Sequence, residues 1–135
     1  MSKKSFRTLT AVTLVVCMLF AVCGVAFAES RMVTTTSSSF VRDSATKGTA
    51  TLAAHTSNNV NPSVVSRMTL QEAPLGTTSF TNSNVAQKTK SSTRSSITHV
   101  ATFDITTSKE YRVKMEIIES INGDTITTVL YENLQ

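Results

Sequence analysis

Hydrophobic and polar positions alternate most regularly near the end of the chain. Tyr111, Val113, Met115 and Ile117 alternate with Arg112, Lys114, Glu116 and Ile118, the period-two pattern of a strand with one face in a core. Asn122-Gly123 follows, and this dipeptide most readily supplies the two positive φ angles of a tight hairpin turn. Residues 125–131 are therefore predicted to return as the antiparallel partner. A two-residue loop sets Ile117 opposite Thr128 and Met115 opposite Leu130. Val113, Met115, Ile117, Ile126 and Leu130 then share a buried face, with Val129 and Tyr131 outside. A three-residue loop would instead bring Met115 to Tyr131 and bury that pair, because a one-residue slip exchanges the faces of a strand.

Similar runs lie upstream. Residues 46–56 carry Ala50, Leu52 and Ala54 on one face, with Gly48 near the entry. Residues 64–72 alternate Val64, Met68 and Leu70 with Val65, Arg67, Thr69 and Gln71. These two runs, joined across the Asn-rich stretch at 58–62, are expected to pair. Residues 77–81 form a short strand candidate around Phe80. The stretch 82–96 has only Val85 and Ala86 to bury and is expected to be a long mobile loop. In residues 97–105, Ile97, His99, Ala101, Phe103 and Ile105 share a face. A faint internal echo relates Arg67-Met68 to Lys114-Met115 and Ala50-Thr51 to Ala101-Thr102. About six or seven strands separated by turns predict an all-β chain, a single immunoglobulin-like antiparallel sandwich.

The N-terminus reads differently. Lys3, Lys4 and Arg7 precede an apolar run, and Ala26-Phe27-Ala28 ends it with small residues. This is the pattern of a helical signal peptide over 1–28, cleaved after Ala28. Cys17 and Cys23 both lie inside it, each preceded by Val where a lipobox calls for a small residue. The mature chain then has no disulfide framework and no thiol chemistry. Residues 29–39 read as a flexible Ser/Thr-rich leader, or at most an edge strand, ahead of a domain over 40–135. Without Lys3, Lys4 and Arg7, 10 of the 13 basic residues remain against nine acidic ones. The apparent basicity therefore belongs mainly to the targeting segment, which weakens any case for a nucleic-acid partner or for membrane association after cleavage. Ser and Thr make up about a third of the mature chain, and Thr suits exposed strand positions.

Little in the chain points to catalysis. His55 and His99 fall in different predicted strands, and His99 shares the parity of core residues, so a shared metal is not expected. Glu110, Glu116 and Glu119 share the hairpin, but Glu116 reads as a solvated strand charge. There is no Gly-x-Ser-x-Gly elbow, phosphate loop or His-Glu-x-x-His helix. Lys88, Lys90 and Arg94 form a local positive stretch with no aromatic residue among them, which reads as a solvated loop. No cofactor is expected. Ile118, Val129 and Tyr131 form the best candidate contact surface, since all three fall on the face turned away from the core.

From the Lys-Lys start through Gly48-Thr49-Ala50 to Glu110-Tyr111-Arg112-Val113 and Asn122-Gly123, the chain resembles a family of unknown function comprising small secreted Ser/Thr-rich β-sandwich proteins of Gram-positive bacteria. The resemblance implies secretion and a sandwich fold, and brings no site residues. The sequence thus leads to the expectation of an extracellular, non-enzymatic domain acting by surface contact with cell-envelope polymer, matrix or another protein. A small carbohydrate-active or other hydrolytic domain is the alternative. No sorting signal for covalent attachment is recognisable after residue 131.

Overall fold

The computed structural model describes residues 34–57, 60–121 and 123–135; the expected signal peptide and the start of the leader lie outside them. Eight strands follow one another: β1 (Thr34–Arg42), β2 (Lys47–His55), β3 (Val64–Pro74), β4 (Thr81–Asn82), β5 (Lys88–Ser92), β6 (Ser96–Asp104), β7 (Lys109–Ile121) and β8 (Asp124–Asn133). They form two antiparallel sheets. One has the order β1-β2-β6, the other β4-β3-β7-β8, with β5 also pairing β3. The sheets pack face to face as a β-sandwich, with six long strands and two short ones.

The alternation of side chains builds the core. Along β2, Gly48, Ala50, Leu52 and Ala54 point inward, and along β6 so do Ile97, His99, Ala101 and Phe103. They meet Val64, Met68 and Leu70 of β3 and Tyr111, Val113, Met115 and Ile117 of β7. Phe40 of β1 closes this layer edge-on against Phe103, with ring centroids 6.3 Å apart and planes at 84°, a geometry the ring quadrupoles favour. Threonines such as Thr98 and Thr102 take the exposed positions of β6, where a β-branched polar residue suits the pleat.

The hairpin register is that of the two-residue loop. Ile121 pairs with Asp124, Ile117 with Thr128, Met115 with Leu130 and Lys114 with Tyr131. Gly123 has φ +86°, in the left-handed region where a Cβ costs about 1–2 kcal/mol. Gly123→Val is expected to lose about that much stability, read as a lower urea midpoint with an unchanged slope. The buried face is shorter than the pattern suggested. Val113, Met115 and Ile117 are fully buried and Leu130 is partly buried, but Ile126 remains 36% exposed, because β8 is an edge strand.

Three other expectations change. β2 and β3 do not pair; they belong to opposite sheets, β2 between β1 and β6 and β3 beside β7. Each has one apolar face, and across the core both faces are covered at once. The stretch 82–96 contains strand β5, held by the backbone of β3 from Val64↔Ser92 to Met68↔Lys88. Backbone pairing orders it where side-chain burial would not, although Val85 packs partly against the core. The strand expected around Phe80 is displaced to the two residues of β4, and Phe80 N–H turns back to Thr78 O at 3.0 Å. Of the leader, residues 34–39 form the first part of edge strand β1, paired with β2 and interrupted by an irregularity between Thr35 and Ser37. The sequence echo falls on directly paired residues, Ala50 opposite Ala101 and Met68 opposite Met115.

The first and last described strands also meet. Gln135 N–H donates to Phe40 O and accepts, through its own carbonyl, from Arg42 N–H, both at 3.0 Å. Ser38 Oγ donates to the Glu132 carboxylate, and Leu134 N–H donates to Tyr111 O at 3.0 Å.

Candidate functional site

The outer face of the β3-β7-β8 sheet carries the three residues singled out by parity. β8 lies beside β7 with Tyr131 opposite Lys114, Val129 opposite Glu116 and Thr127 opposite Ile118. Tyr131 is 51% and Val129 41% exposed, whereas Ile118 is half-buried. Val65 of β3 pairs with Ile118 from the other side. An apolar strip thus runs obliquely from Val65 through Ile118 and Val129 to Tyr131, since diagonal neighbours on one sheet face lie within side-chain reach.

The strip ends in an arrangement that parity alone does not show. The Arg112 guanidinium carbon lies 4.4 Å from the centroid of the Tyr131 ring and 4.5 Å from that of Phe80. The cation is therefore held between two aromatic faces, each attracting it through its ring quadrupole. Arg112 Nε donates to Gln71 Oε1 at 2.7 Å, and Gln71 Nε2 donates in turn to Asn82 Oδ1 at 2.9 Å. Two rings and one hydrogen bond thus restrain a long side chain. Its terminal nitrogens have no hydrogen-bond partner among the described residues. Phe80 comes from the segment between β3 and β4, more than 30 residues before Arg112 in the chain. Only the outward parity of Arg112, next to Tyr131, hinted at its part in the surface.

A groove of about 340 Å³ adjoins the stack, lined among others by Phe80, Thr77, Thr78, Glu110 and Asn133. Glu110 Oε1 accepts from Gly76 N–H at 3.3 Å, which fixes the carboxylate at the groove wall. The other carboxylates of the hairpin are placed elsewhere. Glu116 pairs with Lys114 at 3.2 Å, and Glu119 is buried between the sheets, where Thr56 Oγ1 donates to it. Glu110 and Glu116 share the outer face of β7 but are six residues apart, about 20 Å along a strand. A pair of carboxyls working on one glycosidic bond sits at about 5–9.5 Å.

The two histidines lie on opposite faces of their sheet, His55 exposed and His99 buried. His99 Nδ1 shares a hydrogen bond of 2.8 Å with Ser66 Oγ, also buried. Burial pushes the His99 imidazole below its ordinary value of 6.5, and the nearby Lys90 ammonium lowers it further. As pH falls, the unfolded chain binds this proton first. The contribution of neutral His99 to stability is therefore complete above about pH 6.5 and lost as pH drops through the depressed folded-state value. Urea midpoints measured between about pH 7.5 and 5 should fall on acidification in the parent chain and less so in His99→Gln. Among the described residues no three His, Cys, Asp or Glu side chains gather as a metal site. Lys88, Lys90 and Arg94 lie on and after β5; Lys90 Nζ donates to Thr98 O at 2.7 Å, stitching β5 to β6.

No protein-family model matches the chain, and no curated protein matches it either.

Proposed function

We propose that the protein is a secreted, non-enzymatic β-sandwich that acts by surface contact with cell-envelope polymer, matrix or another protein. The contact surface is the outer face of β7 and β8 centred on Tyr131, with Val129 and Ile118 beside it. The observation that carries this reading is the exposed aromatic ring held in place on a restrained guanidinium, at the end of an apolar strip on the outer sheet face. Rigid, amphipathic aromatic side chains provide contact area at low conformational cost. The signal-like segment at 1–28 and the resemblance to small secreted sandwich proteins of Gram-positive bacteria support an extracellular location. The separation of Glu110 from Glu116 and the burial of Glu119 favour binding over hydrolysis.

The test is a pull-down of the chain from Glu29 onward on intact cells, purified peptidoglycan and culture supernatant, beside Tyr131→Ala and Val129→Ser. Binding to at least one target is expected, with Tyr131→Ala reducing it about tenfold or more, the loss typical of a central aromatic contact. Equal binding by the parent and Tyr131→Ala, or binding to none of the targets, would remove this reading. Both substitutions are at exposed positions, so thermal midpoints should stay close to that of the parent.

A further inference from the structure

The stack on the outer sheet face narrows the chemistry of the partner. We infer that Arg112, clamped between Phe80 and Tyr131, is a receptor for the carboxylate of an acidic sugar unit, and that the surface binds a polysaccharide of uronic-acid type. This rests on the surface-contact reading and adds to it the class of polymer.

Three features of the face lead to that class. The first is the fork. With Nε on Gln71 and the guanidinium carbon 4.5 and 4.4 Å from the Phe80 and Tyr131 ring centroids, the two terminal nitrogens are the donors left for a ligand. A guanidinium offered this way matches a planar carboxylate through two parallel N–H···O bonds, which an ammonium cannot reproduce.

The second is the distribution of charge. Along the outer face of β7 the order is Glu110, Arg112, Lys114 and Glu116. Glu110 is turned to the Gly76 amide and Glu116 to Lys114. Arg67, opposite Glu116 on β3, makes no ion pair among the described residues. The outward residues of β8, from Thr125 through Thr127 and Val129 to Tyr131 and Asn133, carry no charge. The face is thus net positive, with its restrained cation under the exposed ring, although the chain after residue 28 is almost neutral. An anionic unit at Arg112 meets a cation that no carboxylate among the described residues already satisfies.

The third is the polar surround. Tyr131 offers a ring on which the apolar face of a pyranose can lie. Thr77, Thr78 and Asn133 line the adjoining groove, and Thr69, farther along β3, accepts a 2.7 Å hydrogen bond from Gln87, which precedes β5. Hydroxyl and amide groups distributed over a sheet face suit a polyol chain longer than one unit. An acidic peptide would use the cation but not this row of groups.

The experiment uses alginate, a polyuronate, in affinity electrophoresis and titration calorimetry. The comparators are neutral dextran, a phosphate-bearing teichoic acid, single-stranded DNA and poly-glutamate. The parent chain is expected to bind alginate, to bind it more weakly as salt rises, and to bind the comparators at least about tenfold less tightly. Arg112→Lys, which keeps the charge but not the fork, and Tyr131→Ala should each weaken alginate binding about tenfold or more. Lys90→Ala, distant on the β5 edge, should leave it unchanged. Failure of the parent to bind alginate overturns the inference, as does equal binding to teichoic acid, DNA or poly-glutamate. Equal affinity of parent and Arg112→Lys also overturns it. Thermal melts of Arg112→Lys and Tyr131→Ala keep the result readable, since a folded variant without binding supports the assignment. If envelope binding depends on Tyr131 while alginate is ignored, only the polymer class fails. If envelope binding is indifferent to Tyr131, the surface itself fails.

Discussion

Phe40→Ala is expected to destabilise the protein by about 3–5 kcal/mol, the usual cost of removing a buried phenyl ring. The ring is wholly buried and stands edge-on to Phe103. Its own strand, β1, is otherwise Ser/Thr-rich and contributes little other apolar area. Of the β1 side chains described, Phe40 alone is fully buried, so the substitution should loosen β1 more than it loosens β2 or β6. Urea unfolding checks the magnitude. Hydrogen exchange checks the location: amides of β1 should exchange much faster in the variant, while those of β7 are shifted only by the global change. A loss below about 1 kcal/mol would mean that β1 is held by its backbone alone.

Gly48→Val should have an effect of comparable kind from the opposite direction. A Cβ placed on Gly48 would stand 2.9 Å from Phe40 Cε2 and 3.2 Å from Ile105 Cδ1. The ring cannot give way easily because it is wholly buried and packed edge-on against Phe103. Overpacking of this sort costs about 1–3 kcal/mol, and Val, with two further methyls, belongs at the upper end. A double-mutant cycle makes the mechanism visible. Gly48→Ala should cost clearly less in a Phe40→Leu background than in the parent, with a coupling of about 1 kcal/mol. Strict additivity would place the origin elsewhere, for instance in the backbone conformation of β2.

These two residues also show what a sequence can and cannot reveal. Gly48 stands at a strand entry where a turn residue is unremarkable, and its close approach to Phe40 depends on two strands meeting in a register that no local pattern contains. The hairpin was legible, down to Met115 opposite Leu130, because Asn122-Gly123 and the alternation on both sides are local signals that agree. The sandwich class was legible for the same reason, strand by strand. The partnership of β2 was not, since apolar alternation reports that a face is covered and not which strand lies beside it. β5 was hidden because hydrogen bonding to β3 needs no particular side chains. Of the candidate surface, Ile118, Val129 and Tyr131 followed from parity, whereas Arg112 between Phe80 and Tyr131 required the 77–80 segment to fold back over β3 and β7. Contacts between segments distant in sequence are long-range choices, and composition does not encode them.

The pairing of Gln135 with Phe40 and Arg42 bears on the order of folding. Ser38 and Glu132, which meet beside it, are 94 residues apart in the chain. A chain made from its N-terminus presents the edge of β1 long before the segment that completes it. Until Gln135 has been made, Phe40 O and Arg42 N–H lack these partners. The sandwich can begin from the local β7-β8 hairpin, but closure between the first and last strands carries a large loop entropy. It therefore comes late, and non-local β pairing of this kind is characteristically slow, in the range of milliseconds to seconds. Assembly of the surface does not wait for this closure, because Ile118, Val129 and Tyr131 all lie on the β7-β8 hairpin itself.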